Sequence, residues 1–311
     1  MNYNSRIYIA GHRGMVGSAI KRELKRKGYN TVLTAERSEL NLLNYEQVNE
    51  FFTLMKPEYV IIAAAKVGGI QANIDNPGSF LYENLQLQNN IIHLSYLHKI
   101  KKLCFLGSSC IYPNETPQPM KEEYLMSGKL EPTNEGYAIA KIAGLKLCEN
   151  YNKQYGFNAI SVMPCNLYGL NDSFDLNHCH VLSALIKKFY DAKEDGDSEV
   201  TLWGSGIARR EFLNVDDFSS MIIKLMEKHE FQDFINIGSG VDISIKDLAE
   251  KIVNVINFEG KILWDLSKPD GMLKKCLDIS KMKSLKLAPK ISLDDGINSM
   301  IEYYIKSKAV S

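Results

Sequence analysis

A strand-like run from Arg6 to Ala10 leads straight into Gly11-His12-Arg13-Gly14-Met15-Val16-Gly17, and a helical pattern follows from Met15 to Lys27. This constrains the fold more than any other feature. Glycines at this spacing let a strand turn tightly into a helix, leaving backbone N–H groups and the positive helix end facing an anion. In that setting the loop reads as the pyrophosphate cradle of a dinucleotide, lined by Gly11, His12, Arg13, Gly14, Met15, Val16 and Gly17. The alternation then continues through Tyr59 to Ala64, Phe80 to His98 and Lys102 to Leu106. After a long helix containing Tyr137 it resumes at Ala159 to Met163. Short β-branched runs separated by helices predict an α/β protein, a Rossmann-type doubly wound parallel sheet with a smaller C-terminal α/β lobe. The dinucleotide-binding lobe is expected over 1–169, joined by about 211–234 and 281–311. The smaller lobe takes 170–210 and 235–280, where polar loops interrupt the regularity.

Lys+Arg and Asp+Glu balance at 37 each, so no net field recruits nucleic acid or an anionic membrane surface. The opening MNYNSRIYIAG lacks the long apolar stretch of a signal peptide, and no 18-residue apolar run follows, which predicts a soluble, cytoplasmic protein. Six scattered cysteines without a CxxC pair fit free thiols in a reducing compartment. His178-Cys179-His180 offers adjacent ligand types, but three neighbours cannot easily converge on one ion, so no metal is expected.

The second strand region reads Thr31-Val32-Leu33-Thr34-Ala35-Glu36-Arg37. A carboxylate there holds the ribose 2′-hydroxyl of NAD, whereas Arg37 and Arg13 can grip a 2′-phosphate in bidentate fashion. NADP(H) is therefore the expected cofactor, with Glu36 as the competing recognition group. Tyr137 and Lys141 stand four apart on one helix face. An ammonium beside a phenol favours the phenolate, which would let Tyr137 exchange a proton with a sugar or ketone oxygen. Tyr304 and Lys308 repeat the spacing, so position has to decide. Gly107-Ser108-Ser109-Cys110 ends a strand expected beside the first one, which brings Ser108 to the sheet edge where ligands bind.

Together, AGHRGMVGSA, RSELNLLN, AAAKVGGIQAN, FLGSSCIYP, EGYAIAK, NLYG, HV with ALIKKF, WGSG with RREFLNVDD, NIGSGVD and KPDG resemble the GDP-L-fucose synthase family of extended short-chain dehydrogenases over nearly the whole chain. The resemblance implies an NADPH-dependent 4-ketoreductase of a GDP-linked 4-keto-6-deoxy sugar, with epimerisation at C3 and C5 before reduction, and a homodimer built through two long helices. It implies Ser108, Tyr137 and Lys141 for reduction, Cys110 as the base and His180 as the acid. Leu106, Gly107, Pro164, Asn166, Leu167 and His180 would lie along the cofactor. Lys188, Trp203, Arg210 and Asp270 would meet the GDP-sugar. Leu170 and Ser183 stand where the family pattern reads proline, and these departures surround the sugar pocket. A heptose substrate, or C4 reduction without epimerisation, is the alternative they raise. Cys110 would share a strand face with Ser108 if the strand continues that far.

Overall fold

The computed structural model describes residues 1–176, 179–228, 234–268 and 270–309. Asn177, His178 and Pro269, named in the loop, metal-triplet and KPDG readings, lie outside the described residues. A parallel sheet forms the first layer from β1 (Ile7–Ala10), β2 (Val32–Leu33), β3 (Tyr59–Ile62), β4 (Lys102–Leu106) and β5 (Ala159–Pro164). It is covered by α1 (Met15–Arg26), α2 (Tyr45–Met55), α3 (Ile70–Asp75), α4 (Pro77–Leu97) and α5 (Glu135–Tyr155). The chain continues through β6 (Asn166–Tyr168), α6 (Val181–Asp195), β7 (Glu199–Trp203), β8 (Arg209–Asn214), α7 (Val215–Glu227), β9 (Phe234–Ile237), β10 (Asp242–Ser244), α8 (Ile245–Ile256), β11 (Lys261–Asp265), β12 (Lys274–Lys275), α9 (Ser280–Ser284) and α10 (Leu293–Lys308).

The large sheet runs β2-β1-β3-β4-β5-β9, parallel throughout. Its strands are apolar on both faces because helices cover both, as the unbroken burial of Ile7–Ala10, Tyr59–Ile62 and Lys102–Leu106 records. One expectation is corrected here. β4 does not lie beside β1; β3 stands between them. The strand order reverses between β1 and β3, and the glycine loop opens at that crevice. Even the one lysine in the layer, Lys102, is fully buried and donates to the Leu225 carbonyl at 2.7 Å and to that of Lys228, closing the C-terminal end of α7.

A second core gathers Leu182, Ile186 and Phe189 from α6, Leu248 and Ile252 from α8, and Ile297, Met300, Ile301 and Tyr304 from α10. α9 contributes Met282 to the first core instead. The final helix thus packs away from the lobe to which 281–311 was assigned, because its apolar stripe meets α6 and α8. Tyr304 and Lys308 both bind Asp191, at 2.7 and 2.8 Å, so this second Tyr/Lys pair fastens α10 to α6. Small sheets link the layers: β8 pairs with β6, β10 and β12, and β7 with β11.

Candidate active site

The glycine loop can be tested without a ligand. Gly11 has φ +84°, and a Cβ there would lie 2.6 Å from the Ala64 nitrogen. A Cβ on Gly17 would sit 2.2 Å from the Gly11 carbonyl oxygen, whereas one on Gly14 meets nothing closer than 3.7 Å. Only glycine therefore lets the loop close against α1, and Gly14 caps the helix with no side chain over its free N–H groups. Such a cradle fits a pyrophosphate. At the second strand, Arg13 pairs with Glu36 at 3.0 Å, both well exposed, so the two competing recognition groups engage each other. Such a surface pair contributes ~0–1 kcal/mol and yields readily to a phosphate. Arg37 is exposed and makes no ion pair among the described residues.

Ser108, Cys110, Tyr137 and Lys141 come together at the carboxyl end of β4. The strand stops at Leu106, so Cys110 does not share a strand face with Ser108. It is carried inward by a 3-10 turn over Ser109–Ile111, whose first turn is capped as Ser108 Oγ accepts from the Cys110 N–H at 3.2 Å. Lys141 Nζ donates to the Leu106 carbonyl at 2.8 Å and lies 5.7 Å from the centre of the Tyr137 ring. Burial pushes Lys141 down to about 7. Burial also raises the Tyr137 phenol well above its ordinary value, with Cys110 adding to the rise and a hydrogen bond from Ser108 opposing it. The expected lowering of the phenol by Lys141 is not found. Desolvation disfavours both charged forms and dominates at each group.

Cys110 behaves differently. Lys275 Nζ lies 3.3 Å from its sulfur and Asn134 Nδ2 lies 3.5 Å away. Burial raises the thiol, but Lys275, the Ser108 hydroxyl and Arg210 together bring it below the ordinary thiol value. Composition and spacing gave no sign of this, since Lys275 is far away in sequence and is brought in by β12 pairing beside β8, opposite Arg210.

His180 stands at the N-cap of α6, and its hydrogen bond goes to Asp172, with Nδ1 3.2 Å from Oδ1. That hydrogen bond holds the imidazole above its ordinary pKa, against the opposing effect of burial. Asp172 is buried, and its other oxygen accepts from the buried Ser183 hydroxyl.

In the second lobe, Lys188 on α6 donates to the Thr201 carbonyl at 3.0 Å. Trp203 at the end of β7 is 58% exposed, a free aromatic face with Lys268 at one side. Arg210 donates to the carbonyls of Arg209, Met272 and Asp270. The Asp270 carboxylate is already engaged by the Ser205 N–H at 2.8 Å and hydroxyl at 2.7 Å. It therefore pins the loop after Trp203, with one hydrogen bond on each of its two oxygens. Along the proposed cofactor edge, Gly107 N–H donates to the Val162 carbonyl at 2.8 Å. Pro164 ends β5, while Asn166 Nδ2 reaches the Glu211 carbonyl at 3.1 Å and Leu167 is buried.

A model of the NAD dependent epimerase/dehydratase family matches residues 7–238. GDP-L-fucose synthase 1 of Arabidopsis thaliana is 49% identical over 304 residues, spanning 98% of this chain and 94% of its own. GDP-L-fucose synthase of Escherichia coli (strain K12) is 46% identical over 312 residues, with 97% of both chains covered. The chain belongs to this family, in its GDP-L-fucose synthase group. Among solved structures, a GDP-mannoheptose C4 reductase from Campylobacter jejuni with NADP bound is 38% identical, with a TM-score of 0.90 over 98% of this chain and 99% of that one. Against the GDP-L-fucose synthase pattern, Ser183 gains a purpose. The hydroxyl that replaces the usual proline is the group that secures Asp172 beneath His180.

Proposed function

We propose that the chain is an NADPH-dependent enzyme acting on a GDP-linked 4-keto-6-deoxy sugar, inverting the carbons beside the ketone and then reducing the ketone at C4. The observation that carries this reading is the sulfur of Cys110, held by cationic and neutral donors beside Ser108 and Tyr137. A reductase alone has no use for a thiol brought below its ordinary value there; proton removal next to a ketone does. Protons beside the C4 ketone are acidic because the charge spreads to oxygen, and Ser108 and Tyr137 hydrogen-bond that oxygen. Cys110 takes the proton from carbon and His180, whose protonated form Asp172 favours, returns one from the other side. Bound on the glycine loop, NADPH supplies the hydride for the C4 carbon. The Tyr137 phenol then gives its proton to the C4 oxygen.

Gly11, Gly14 and Gly17 hold the pyrophosphate, Arg13 and Arg37 the 2′-phosphate, and Lys141 the nicotinamide ribose. His12, Met15, Val16, Leu106, Gly107, Pro164, Asn166 and Leu167 line the remainder of that groove. Trp203, Lys188 and Arg210 receive the GDP-sugar, with Asp270 shaping the loop. The protein acts in the cytoplasm as a homodimer, for which Tyr82, Leu97, Ile139 and Tyr155 on α4 and α5 supply exposed apolar side chains. Among the described residues no helix is long and apolar enough to cross a membrane. Incubation with GDP-4-keto-6-deoxy-mannose and NADPH in deuterated water tests the reading. Deuterium at C3 and C5 together with stoichiometric NADPH loss is expected, and NADPH loss with no deuterium overturns the epimerisation. That second outcome would favour C4 reduction of a GDP-heptose, the reading supported by likeness to the Campylobacter jejuni heptose reductase and by Leu170 and Ser183.

A further inference from the structure

We propose that Lys275 is the positioning residue that stabilises the thiolate form of Cys110 for withdrawing a proton beside the sugar ketone. The chemical use of that thiolate rests on the function proposed above; the contact of Lys275 with the sulfur does not. Two adjacent lysines make the case by contrast. Lys274 ends 2.8 Å from Asp242 and is neutralised there. Lys275, half-buried, has no carboxylate within ion-pair distance among the described residues, and its ammonium points at the sulfur 3.3 Å away. A partly desolvated ammonium without a carboxylate selects whichever neighbour can become an anion.

The groups facing the sulfur are Lys275 and Arg210 from the small sheet, Tyr137 from α5, and the neutral donors Ser108 and Asn134. Arg210 is committed, its guanidinium donating to three backbone carbonyls of its own strand and of the 270–272 loop. Lys275 is thus the cation free to follow the sulfur. It is also firmly mounted. The next residues are fixed as Cys276 N–H donates to Gln118 at 2.9 Å and Leu277 N–H to the buried Glu211 carboxylate at 2.8 Å. When the thiolate takes the proton, the carbon–hydrogen electron pair moves into the enolate with its charge on the C4 oxygen. The sulfur becomes a neutral thiol, and the unchanged ammonium then faces the new anion, so one charge serves both ends of the step.

The test is the pH dependence of Cys110 alkylation by iodoacetamide in the intact protein, read peptide by peptide by mass spectrometry, since the thiolate alone reacts. In Lys275→Met the midpoint should rise by at least about one unit, a roughly tenfold loss of reactivity on the acid side, while Lys275→Arg should keep most of it. Deuterium uptake into the sugar should fall as the alkylation midpoint rises, with KM for NADPH unchanged. An unmoved midpoint in a Lys275→Met protein that still binds NADPH overturns the proposal. If that variant does not fold, Lys275→Gln and Lys275→Arg are compared, and equal midpoints overturn it equally. A shifted midpoint with no deuterium uptake even in the unaltered protein would uphold Lys275 and sink the epimerase reading instead.

Discussion

Asp172→Asn isolates the acid half of the site. The change keeps the side chain's shape but removes the anion 3.2 Å from His180 Nδ1. A hydrogen bond to a charged group contributes ~1.5–3 kcal/mol when shielded. The imidazole is 51% exposed, so screening brings the working figure nearer ~1 kcal/mol. With that anion gone, His180 in the variant should titrate lower than in the parent. The sign for stability follows from the raised folded pKa. The stabilising contribution of the pair is complete below the ordinary histidine value of 6.5 and fades as pH climbs through the folded pKa. The difference in unfolding free energy between parent and variant should therefore be largest in acid and shrink above neutrality. The assay follows the His180 ring proton by NMR, assigned by its loss in His180→Asn, alongside deuterium uptake and NADPH consumption in one reaction. Uptake should drop severalfold at neutral pH, its acid-side plateau moving to lower pH, with KM for NADPH unchanged. A His180 titrating at the same pH in both proteins, or uptake curves that superimpose, would refute the argument.

Other outcomes follow from the same geometry. Gly17→Ala drives a Cβ to 2.2 Å from a backbone oxygen. At ~1–3 kcal/mol for an overpacked site, KM for NADPH should rise roughly 5- to 150-fold, and Tm of the cofactor-free protein should fall. Gly14→Ala, whose Cβ has space, should leave that Tm unchanged while still raising KM; equal melting losses would count against the loop geometry. Tyr137→Phe should reduce NADPH oxidation by ~10²–10⁴-fold, whereas deuterium uptake falls less, because Ser108 still holds the oxygen. Lys102→Met leaves the Leu225 and Lys228 carbonyls without their donor. Urea unfolding should register a loss of ~1–3 kcal/mol, with turnover per folded molecule unchanged.

What could be read from the sequence was local or periodic. The glycine loop, the strand from Lys102 to Leu106 and the four-residue spacing of Tyr137 and Lys141 all depend on residues near one another in the chain, and each appears as expected. What could not be read came from distant pairings. No spacing rule brings Lys275 to Cys110, because β12 reaches that point only by pairing with β8. Ser183 reads in the sequence only as a departure around a sugar pocket, because its tie to Asp172 depends on how α6 places the serine against the aspartate. Nothing in KPDG tells of the Ser205 loop folding back onto Asp270. The extension of the strand to Cys110 failed for a local reason. The Ser108 hydroxyl caps a tight turn, and a capping serine ends an extended run as readily as it starts a helix.

The Tyr137 and Lys141 pair shows why direction belongs to the argument. A phenol raised by burial keeps its proton at neutral pH, and burial lowers the neighbouring lysine to about 7. An enzyme that oxidises an alcohol needs the phenolate as its base, and this pocket works against forming one. A ketone reductase needs the opposite, a phenol that arrives protonated and surrenders its proton only when charge develops on the substrate oxygen. The same burial that defeats the simple expectation of a lowered phenol therefore suits a proton donor at the ketone oxygen. It also separates the two chemistries proposed for one cavity. Cys110, with a cation at its side, is brought below the ordinary thiol value, while Tyr137, with none close enough to outweigh burial, is raised above the ordinary phenol value. Proton exchange at carbon can then proceed before the phenol is spent, which is the order that inversion followed by reduction requires.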